Sequence, residues 1–209
     1  MGFLDIENIA CSVLGYDLSY VELIGTAFGF LSVLLAARAN ILTWPAGIIN
    51  EIAFFALFYQ VQLYSDMYLQ VFFLLVTIYG WYYWHNPTTL RKISALSTRW
   101  RMILMVVLAL GTLLSGLLIS HIHEIWPSVF TQAAAYPYWD ALTTVASIAA
   151  TILLSRKVID TWILWILVDV IAVVLYALKG IYLVSIEYVI FLIICIFGLR
   201  HWYKQRYTE

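Results

Sequence analysis

Charge is what this chain has least of: Lys, Arg, Asp and Glu make up 11% of its residues, against 64% hydrophobic ones, and the mean hydropathy is +0.92. So few charges cannot clothe a soluble domain, so the composition excludes that class and points to a polytopic membrane protein. Cysteine is scarce as well. Cys11 and Cys195 stand far apart, the second inside an apolar run, which leaves no disulfide framework and no zinc signature. A net charge of -1 with no dense basic tract excludes nucleic acid and acidic polymers as partners. Residues 1–20 carry Asp5, Glu7 and Asp17 but no Lys or Arg, so the basic start of a cleavable signal peptide is missing. Ile6 stands where a myristoylation pattern needs Ser or Thr. There is no P-loop, no G-x-S-x-G, no H-E-x-x-H and no Rossmann fingerprint. ATP-driven transport by this chain alone is therefore not expected, nor is a cofactor or a catalytic residue.

What is present is a series of apolar runs at 21–37, 44–60, 67–84, 102–120, 140–155, 161–178 and 181–199. They predict an all-α membrane protein of seven transmembrane helices. Several runs are near the short end of the roughly 17 to 25 residues a span needs, so little tilt is expected. With the N-terminus outside, the inner loops and tail hold Arg38, Arg91, Lys92, Arg99, Arg101, Arg156, Lys157, Arg200, Lys204 and Arg206, and only Lys179 lies outside. That bias places the C-terminus in the cytoplasm. Aromatic clusters at 81–84 and 201–203 then mark the inner interface, and Trp44, Trp84, Trp162 and Trp202 each read equally well as belt anchors.

Sliding the chain against itself by 118 residues pairs Tyr20 with Tyr138, Thr26 with Thr144, Arg38 with Arg156, Ile41 with Ile159, and Thr43-Trp44 with Thr161-Trp162. The same offset pairs Tyr64 with Tyr182, Gly80 with Gly198, Trp84 with Trp202, Glu22 with Asp140 and Glu51 with Asp169. A three-helix unit ends on the side of the membrane opposite its start, so two parallel units need an odd number of linking spans. The expected plan is an outer N-terminal segment (1–20), a first three-helix repeat (21–84), a connecting region (85–138), a second repeat (139–202) and a cytoplasmic tail (203–209). The connecting region comprises an inner loop, a linker helix at 102–120 and an outer loop. This is a 3+1+3 arrangement of parallel repeats, with substrate expected near the midplane between them.

Polar groups at membrane depth are few. Asn50 and Glu51 fall in the second predicted helix, Gln70 and Thr77 in the third, Asp169 in the sixth, and Glu187 with Tyr188 in the seventh. Spacings of three and four put Trp162, Trp165 and Asp169 on one helical face, with Tyr176 further along it. An intramembrane carboxylate is costly and reads by default as functional. A flat cationic ring stacked on Trp165 gains about 2 kcal/mol when desolvated, while Asp169 balances its charge. Glu51 and Asp169 both lie about 10 Å in from the inner ends of their helices and are expected to face each other across the pseudo-axis. Trp165 pairs with Gly47 in the repeat, a ring against empty space, which an asymmetric ligand can use. The amides of Asn50 and Gln70 suit a ligand amide or ribose hydroxyl, since each offers donor and acceptor.

The alternative for each polar group is structural, an interhelical hydrogen bond worth on the order of 1 kcal/mol. Thr77 reads as packing, and Trp165 as core filling is the rival to ring stacking. Gln60, Gln62, Tyr64 and Asp66 read as solvated loop residues. His121, His123 and Glu124 form a His-x-His-Glu cluster with no second ligand group to make a metal site, and His85 and His201 read as interfacial.

Several segments carry a family resemblance: Gly47-Ile-Ile-Asn50, Gln60-Val-Gln62-Leu-Tyr64, Leu69-Gln70-Val-Phe-Phe, Ile78-Tyr79-Gly80-Trp81-Tyr82, Trp162-x-x-Trp165-x-x-x-Asp169, Glu187-Tyr188 and Tyr136-Pro-Tyr-Trp-Asp140. Together they resemble the Pnu-type vitamin transporters over nearly the whole chain, closest to those that carry nicotinamide riboside. The resemblance implies a homotrimer in the bacterial inner membrane, each protomer with its own pore, in a fold related to the sugar-transporting SWEET proteins. It also implies facilitated diffusion of an NAD precursor, trapped inside by a cytoplasmic nicotinamide riboside kinase. The family's substrate-recognition element maps onto Trp162, Trp165 and Asp169. Some members that carry nicotinamide riboside have Asn where this chain has Asp169, and relatives carry thiamine, riboflavin or deoxynucleosides. Thiamine transport is thus the same-class alternative, and an integral-membrane enzyme using Glu51, Asp169 and Glu187 is the rival from another class. The expected contacts are Asn50, Glu51, Gln70, Trp162, Trp165, Asp169, Glu187 and Tyr188.

Overall fold

The computed structural model describes residues 5–13, 16–61, 64–85, 92–126, 133–180 and 182–208. Gln62, Arg91 and Pro127 lie outside the described residues, as do the side chains of Tyr64 and Asp66. Seven helices stand where the apolar runs predict them: α1 (Tyr20–Ala37), α2 (Thr43–Gln60), α3 (Tyr64–His85), α4 (Thr98–Ile125), α5 (Pro137–Ser155), α6 (Asp160–Leu178) and α7 (Tyr182–Thr208). Five of them, α1 and α4 to α7, are long and apolar enough to cross a membrane. The other two, α2 and α3, are enriched in Trp, Tyr, Asn50, Glu51 and Gln70, which lower mean hydropathy without shortening the helix.

One element was not expected. Ahead of α1, strand β1 (Ile9–Val13) pairs antiparallel with β2 (Tyr16–Ser19). The hairpin feeds straight into α1 through a capping box: the Ser19 hydroxyl accepts from the Glu22 N–H, and the Glu22 carboxylate accepts from the Ser19 N–H at 2.9 Å. Two bonds fix the segment to the helices, from Tyr20 N–H to the Asn8 carbonyl at 3.0 Å and from Ile6 N–H to Gln60 Oε1 at 3.0 Å.

The chain forms two compact units, Met1–Lys92 with Arg200–Glu209, and Ile93–Leu199. In the first, α2 packs between α1 and α3, and Val21, Ala53 and Leu57 make a buried cluster with Phe54 and Phe58 around it. Small residues allow the helices to approach: a methyl group at Gly25 would lie 3.2 Å from the Phe54 ring. In the second unit α5 packs between α4 and α6, with Leu108, Ala146, Ala150, Leu164 and Val168 as its buried cluster.

The α1–α2 and α5–α6 turns have the same backbone, residue for residue at the 118 offset. In the first, Arg38 and Asn40 donate to the Leu35 carbonyl and Ala39 to that of Ala36; in the second, Arg156 and Val158 donate to Leu153 and Lys157 to Leu154. Ala39 (φ 52°) and Lys157 (φ 54°) both occupy the left-handed region. Buried Thr43 then donates back across the turn to the Ser32 carbonyl at 2.9 Å, and buried Thr161 to the Ala150 carbonyl at 2.8 Å.

The four tryptophans at positions 44, 84, 162 and 202 are not belt anchors. All are at most 5% exposed. Trp44 lies edge-on to Trp84 with centroids 5.1 Å apart, and Trp202 donates its indole N–H to the Ala36 carbonyl at 3.0 Å. Helix contacts inside the protein hold these rings, and the outward aromatic surface is left to residues such as Trp81 and Tyr203.

Candidate functional site

The conspicuous polar seam of the second unit runs between α6 and α7. Residues seven apart on α6 lie almost one above another, since two turns take 7.2 residues. Trp162, Asp169 and Tyr176 therefore line one edge, and α7 answers each in antiparallel order. Trp162 lies over Gly198, where even a methyl group would come within 2.9 Å of the indole. Asp169 and Cys195, both buried, follow along the same seam. Tyr176 stacks on Tyr188 with centroids 5.5 Å apart and planes 13° from parallel. Three residues before Tyr188, the Ser185 hydroxyl donates to the Val173 carbonyl at 2.8 Å and ties the helices together.

Asp169 is 3% exposed, and its Oδ2 is buried with no hydrogen-bond partner. A buried carboxylate oxygen with nothing to accept from is costly unless a ligand completes it. Tyr188, stacked on Tyr176 two turns along α6 from Asp169, lies on the same seam as the acid. Glu187 is half-buried on α7. Trp165 is half-buried one turn before Asp169 and packs against the Leu108–Ala146–Ala150–Leu164–Val168 cluster, so part of that indole does fill the core. Trp162, 1% exposed, is a wall rather than a contact surface.

The first unit contains a matching pair. Glu51 on α2 is 7% exposed, its Oε1 accepts from the Thr77 hydroxyl of α3 at 2.6 Å, and its Oε2 is buried without a hydrogen-bond partner. Thr77, expected to be packing alone, is thus the donor to a buried acid. Trp44 lies against Gly80 as Trp162 does against Gly198, with a methyl group there coming to 2.4 Å from the ring. Asn50 donates to the Gly25 carbonyl of α1 at 2.8 Å, so one of its amide hydrogens holds two helices together. Gln70 is half-buried on α3.

Sequence reasoning missed three residues here. Thr77 is the donor to buried Glu51, and buried Cys195 stands at the equivalent position, each 26 residues after its acid, a correspondence that the 118 offset would have exposed. The third is Asp160, 4% exposed at the start of α6, which accepts from Leu96 N–H at 2.8 Å and from Arg101 Nε at 2.6 Å. It fixes the N-terminus of the site helix to the segment before α4. Among the described residues no group of three His, Cys, Asp or Glu is placed to hold a metal ion. His121 instead lies with Nδ1 3.0 Å from the Leu117 carbonyl of its own helix.

Bundled apolar helices, five of them long and apolar enough to span, with acids buried inside the bundle, define a polytopic membrane protein. The family model described as nicotinamide mononucleotide transporter matches residues 19–204, and the chain belongs to that family. It is 34% identical to the nicotinamide riboside transporter PnuC of Escherichia coli (strain K12), over 97% of this chain and 94% of the relative. It is 27% identical to the riboflavin/roseoflavin transporter RibM of Streptomyces davaonensis, over 88% of this chain and 84% of that one. A crystal structure of the vitamin B3 transporter PnuC superposes with a TM-score of 0.67 at 23% identity, over 91% of this chain and 83% of that one, which shows that the fold is shared. These relatives are transporters, not enzymes.

Proposed function

We propose that this chain carries nicotinamide riboside across a bacterial inner membrane, with the α6–α7 seam as the element that recognises the cationic nicotinamide ring. The observation that carries this reading is Asp169: a carboxylate 3% exposed within α6, its Oδ2 buried without a hydrogen-bond partner, one turn from half-buried Trp165. A pyridinium supplies the missing charge, and aromatic faces stabilise a desolvated cation by about 2 kcal/mol. In this reading Tyr188 and Glu187 meet the ribose hydroxyls. The first-unit polar residues Asn50, Glu51 and Gln70 remain candidate contacts. Of these, Asn50 and Glu51 each have one polar atom engaged within their own unit.

The electrostatics also separate the ligands named for the relatives. A mononucleotide adds a phosphate, which a buried acid repels, and neither α6 nor residues 182–199 of α7 carry Lys or Arg to offset it. Riboflavin is neutral and gains nothing from the carboxylate. Thiamine, also cationic, is the ligand that this seam discriminates least by charge.

The architecture proposed is seven spans in a 3+1+3 arrangement of parallel repeats, with the N-terminus outside and the C-terminus in the cytoplasm. It is supported by the matching turns at 38–44 and 156–162 and by the placement of Lys and Arg. We further infer a SWEET-like homotrimer in which each protomer conducts facilitated diffusion, with a cytoplasmic kinase trapping the product for NAD synthesis. The absence of any nucleotide-hydrolysing motif in the sequence fits that division of labour.

A thermal-shift screen of purified protein against nicotinamide riboside, thiamine, riboflavin and nucleosides tests the substrate, because a ligand that binds only the native state raises Tm. Stabilisation by nicotinamide riboside is expected. Stabilisation by thiamine alone overturns the substrate. Proteoliposomes that return the labelled compound chemically unchanged, and equilibrate it across the bilayer, test the facilitator.

A further inference from the structure

We propose that the outer end of α6 carries a cation subsite, formed by the Asp140 carboxylate and the rings of Tyr136 and Tyr176, which the Lys179 ammonium fills until a flat organic cation displaces it. This deepens the reading of the α6–α7 seam, and it rests on a cationic substrate and on α6 ending outside. Lys179 is the only Lys or Arg between Lys157 and Arg200, and it stands one residue past the end of α6. Its Nζ lies 3.4 Å from Asp140 Oδ1, 6.0 Å from the centre of the Tyr136 ring and 5.8 Å from that of Tyr176. A carboxylate and two aromatic faces around one ammonium are the groups that attract any cation, tethered or free. Tyr176 in turn stacks on Tyr188, and Asp169 follows two turns back along the same edge of α6. The subsite therefore stands at the head of the seam proposed to hold the ring of the substrate.

Two observations mark Lys179 as a displaceable occupant rather than a structural tie. The Asp140–Lys179 contact is long, and the two side chains are 36% and 29% exposed, so the pair is weak and reopens readily. The common frame also does without it. At the 118 offset Glu22 and Val61 stand for Asp140 and Lys179: the Glu22 carboxylate accepts from the Ser19 N–H and hydroxyl, and Val61 has no charge. Even so, α2 packs on α1 as α6 does on α5.

The alternative is that Lys179 only offsets the negative end of α6, whose last turn has no basic residue. That role lowers Tm in Lys179→Met but treats ligands of different charge alike. Reduced nicotinamide riboside, of nearly the same size with an uncharged dihydropyridine ring, is the control for the cationic form. Affinities of both should be measured by titration calorimetry on the purified full chain at low salt. Lys179→Met is expected to bind the cation about fivefold more tightly, since no tethered ammonium has to be displaced. Lys179→Arg, which keeps the charge, should stay within about twofold of wild type. Adding Asp140→Asn to Lys179→Met should cancel the gain. The reduced form should bind all four proteins alike. Both ligands are titrated into the same preparation, so the ratio of their affinities is insensitive to any fraction of a variant that misfolds. A Lys179→Met protein that leaves the affinity for the cation unchanged or lowers it, or that shifts both ligands equally, overturns the inference. If Asp169→Leu still loses the cation in that case, the subsite alone falls and the substrate reading stands. A wild type that binds the reduced form as tightly as the cation sinks the substrate reading and the subsite with it.

Discussion

The α2–α3 and α6–α7 pairs are built alike and furnished differently. Each has a buried acid in its first helix, a Thr or buried Cys 26 residues later in the second, and a tryptophan pressed onto a glycine. Beside Glu51, however, stands Gly47, where a methyl group would touch the Ser32 hydroxyl and the Thr77 methyl at 3.4 Å. Beside Asp169 stands Trp165. The residue 26 positions on is Thr77 in one and Cys195 in the other, and the turn leading in carries exposed Leu42 where the second unit has buried Asp160. The backbone frame is common to both, so the side chains that differ are where ligand recognition can be asymmetric.

The largest effect should come from removing the acids one at a time. Asp169→Leu is expected to weaken nicotinamide riboside binding about a hundredfold or more, since it deletes the charge partner of a desolvated cation. Glu51→Leu, with no aromatic ring at position 47 to complete a cation site, should change affinity by about threefold or less. Calorimetry on the two variants checks both. Equal losses would mean that the units recognise the ligand together and would cancel the asymmetry argued above.

Next come the glycines. A methyl group at Gly80 meets three ring atoms of Trp44 at 2.4 to 2.7 Å, and one at Gly198 meets Trp162 at 2.9 Å. Overpacking a tight contact costs about 1 to 3 kcal/mol, so both Ala variants should melt earlier than wild type, Gly80→Ala by more. Only Gly198→Ala should also weaken ligand binding, because it pushes α7 away from the α6 face that carries Asp169. A Gly198→Ala protein with wild-type affinity would detach the seam from the site.

Asp160→Leu copies the first unit's Leu42 into the second. It removes the acceptor for Leu96 N–H and for an Arg101 side chain that is 50% exposed. The exposed partner can return to water, so the loss should be about 1 to 2 kcal/mol, read from Tm, and smaller than a fully buried ion pair would give.

How much of this was legible follows from where each residue sits. The apolar runs located the helices, but α4 and α7 extend past their predicted ends at 102–120 and 181–199, because Arg, Lys and His at the membrane surface continue a helix that hydropathy cuts short. The β1–β2 hairpin was overlooked because short strands alternating polar and apolar residues are faint beside spans. Asp169 and Glu51 were conspicuous as acids within apolar runs. Thr77 and Cys195 were not, since a lone Thr or Cys in such a helix gives no signal until the facing helix is in register. Asp160 was missed for the opposite reason: at a helix end it looks like an ordinary solvated charge. Burying the four tryptophans required knowing that Gly80 and Gly198 face Trp44 and Trp162.

The smallest effect tests the common frame itself. Ala39 and Lys157 sit in the left-handed region at nearly equal φ, 52° and 54°, and neither is glycine. An L-residue there is strained by about 1 to 2 kcal/mol, a strain that glycine avoids, while glycine loses about 0.5 to 1 kcal/mol more than alanine in chain entropy on folding. The net gain for Ala39→Gly or Lys157→Gly is therefore about 0.5 kcal/mol, a small rise in Tm with no change in ligand affinity. The two increments should add in the double variant, because the turns lie in separate units. They should be close to equal because the bonds inside each turn match, although the Lys157 carbonyl also accepts from Ser94 N–H at 3.0 Å. A gain at one turn and a loss at the other would show that the matching backbone conceals different strain.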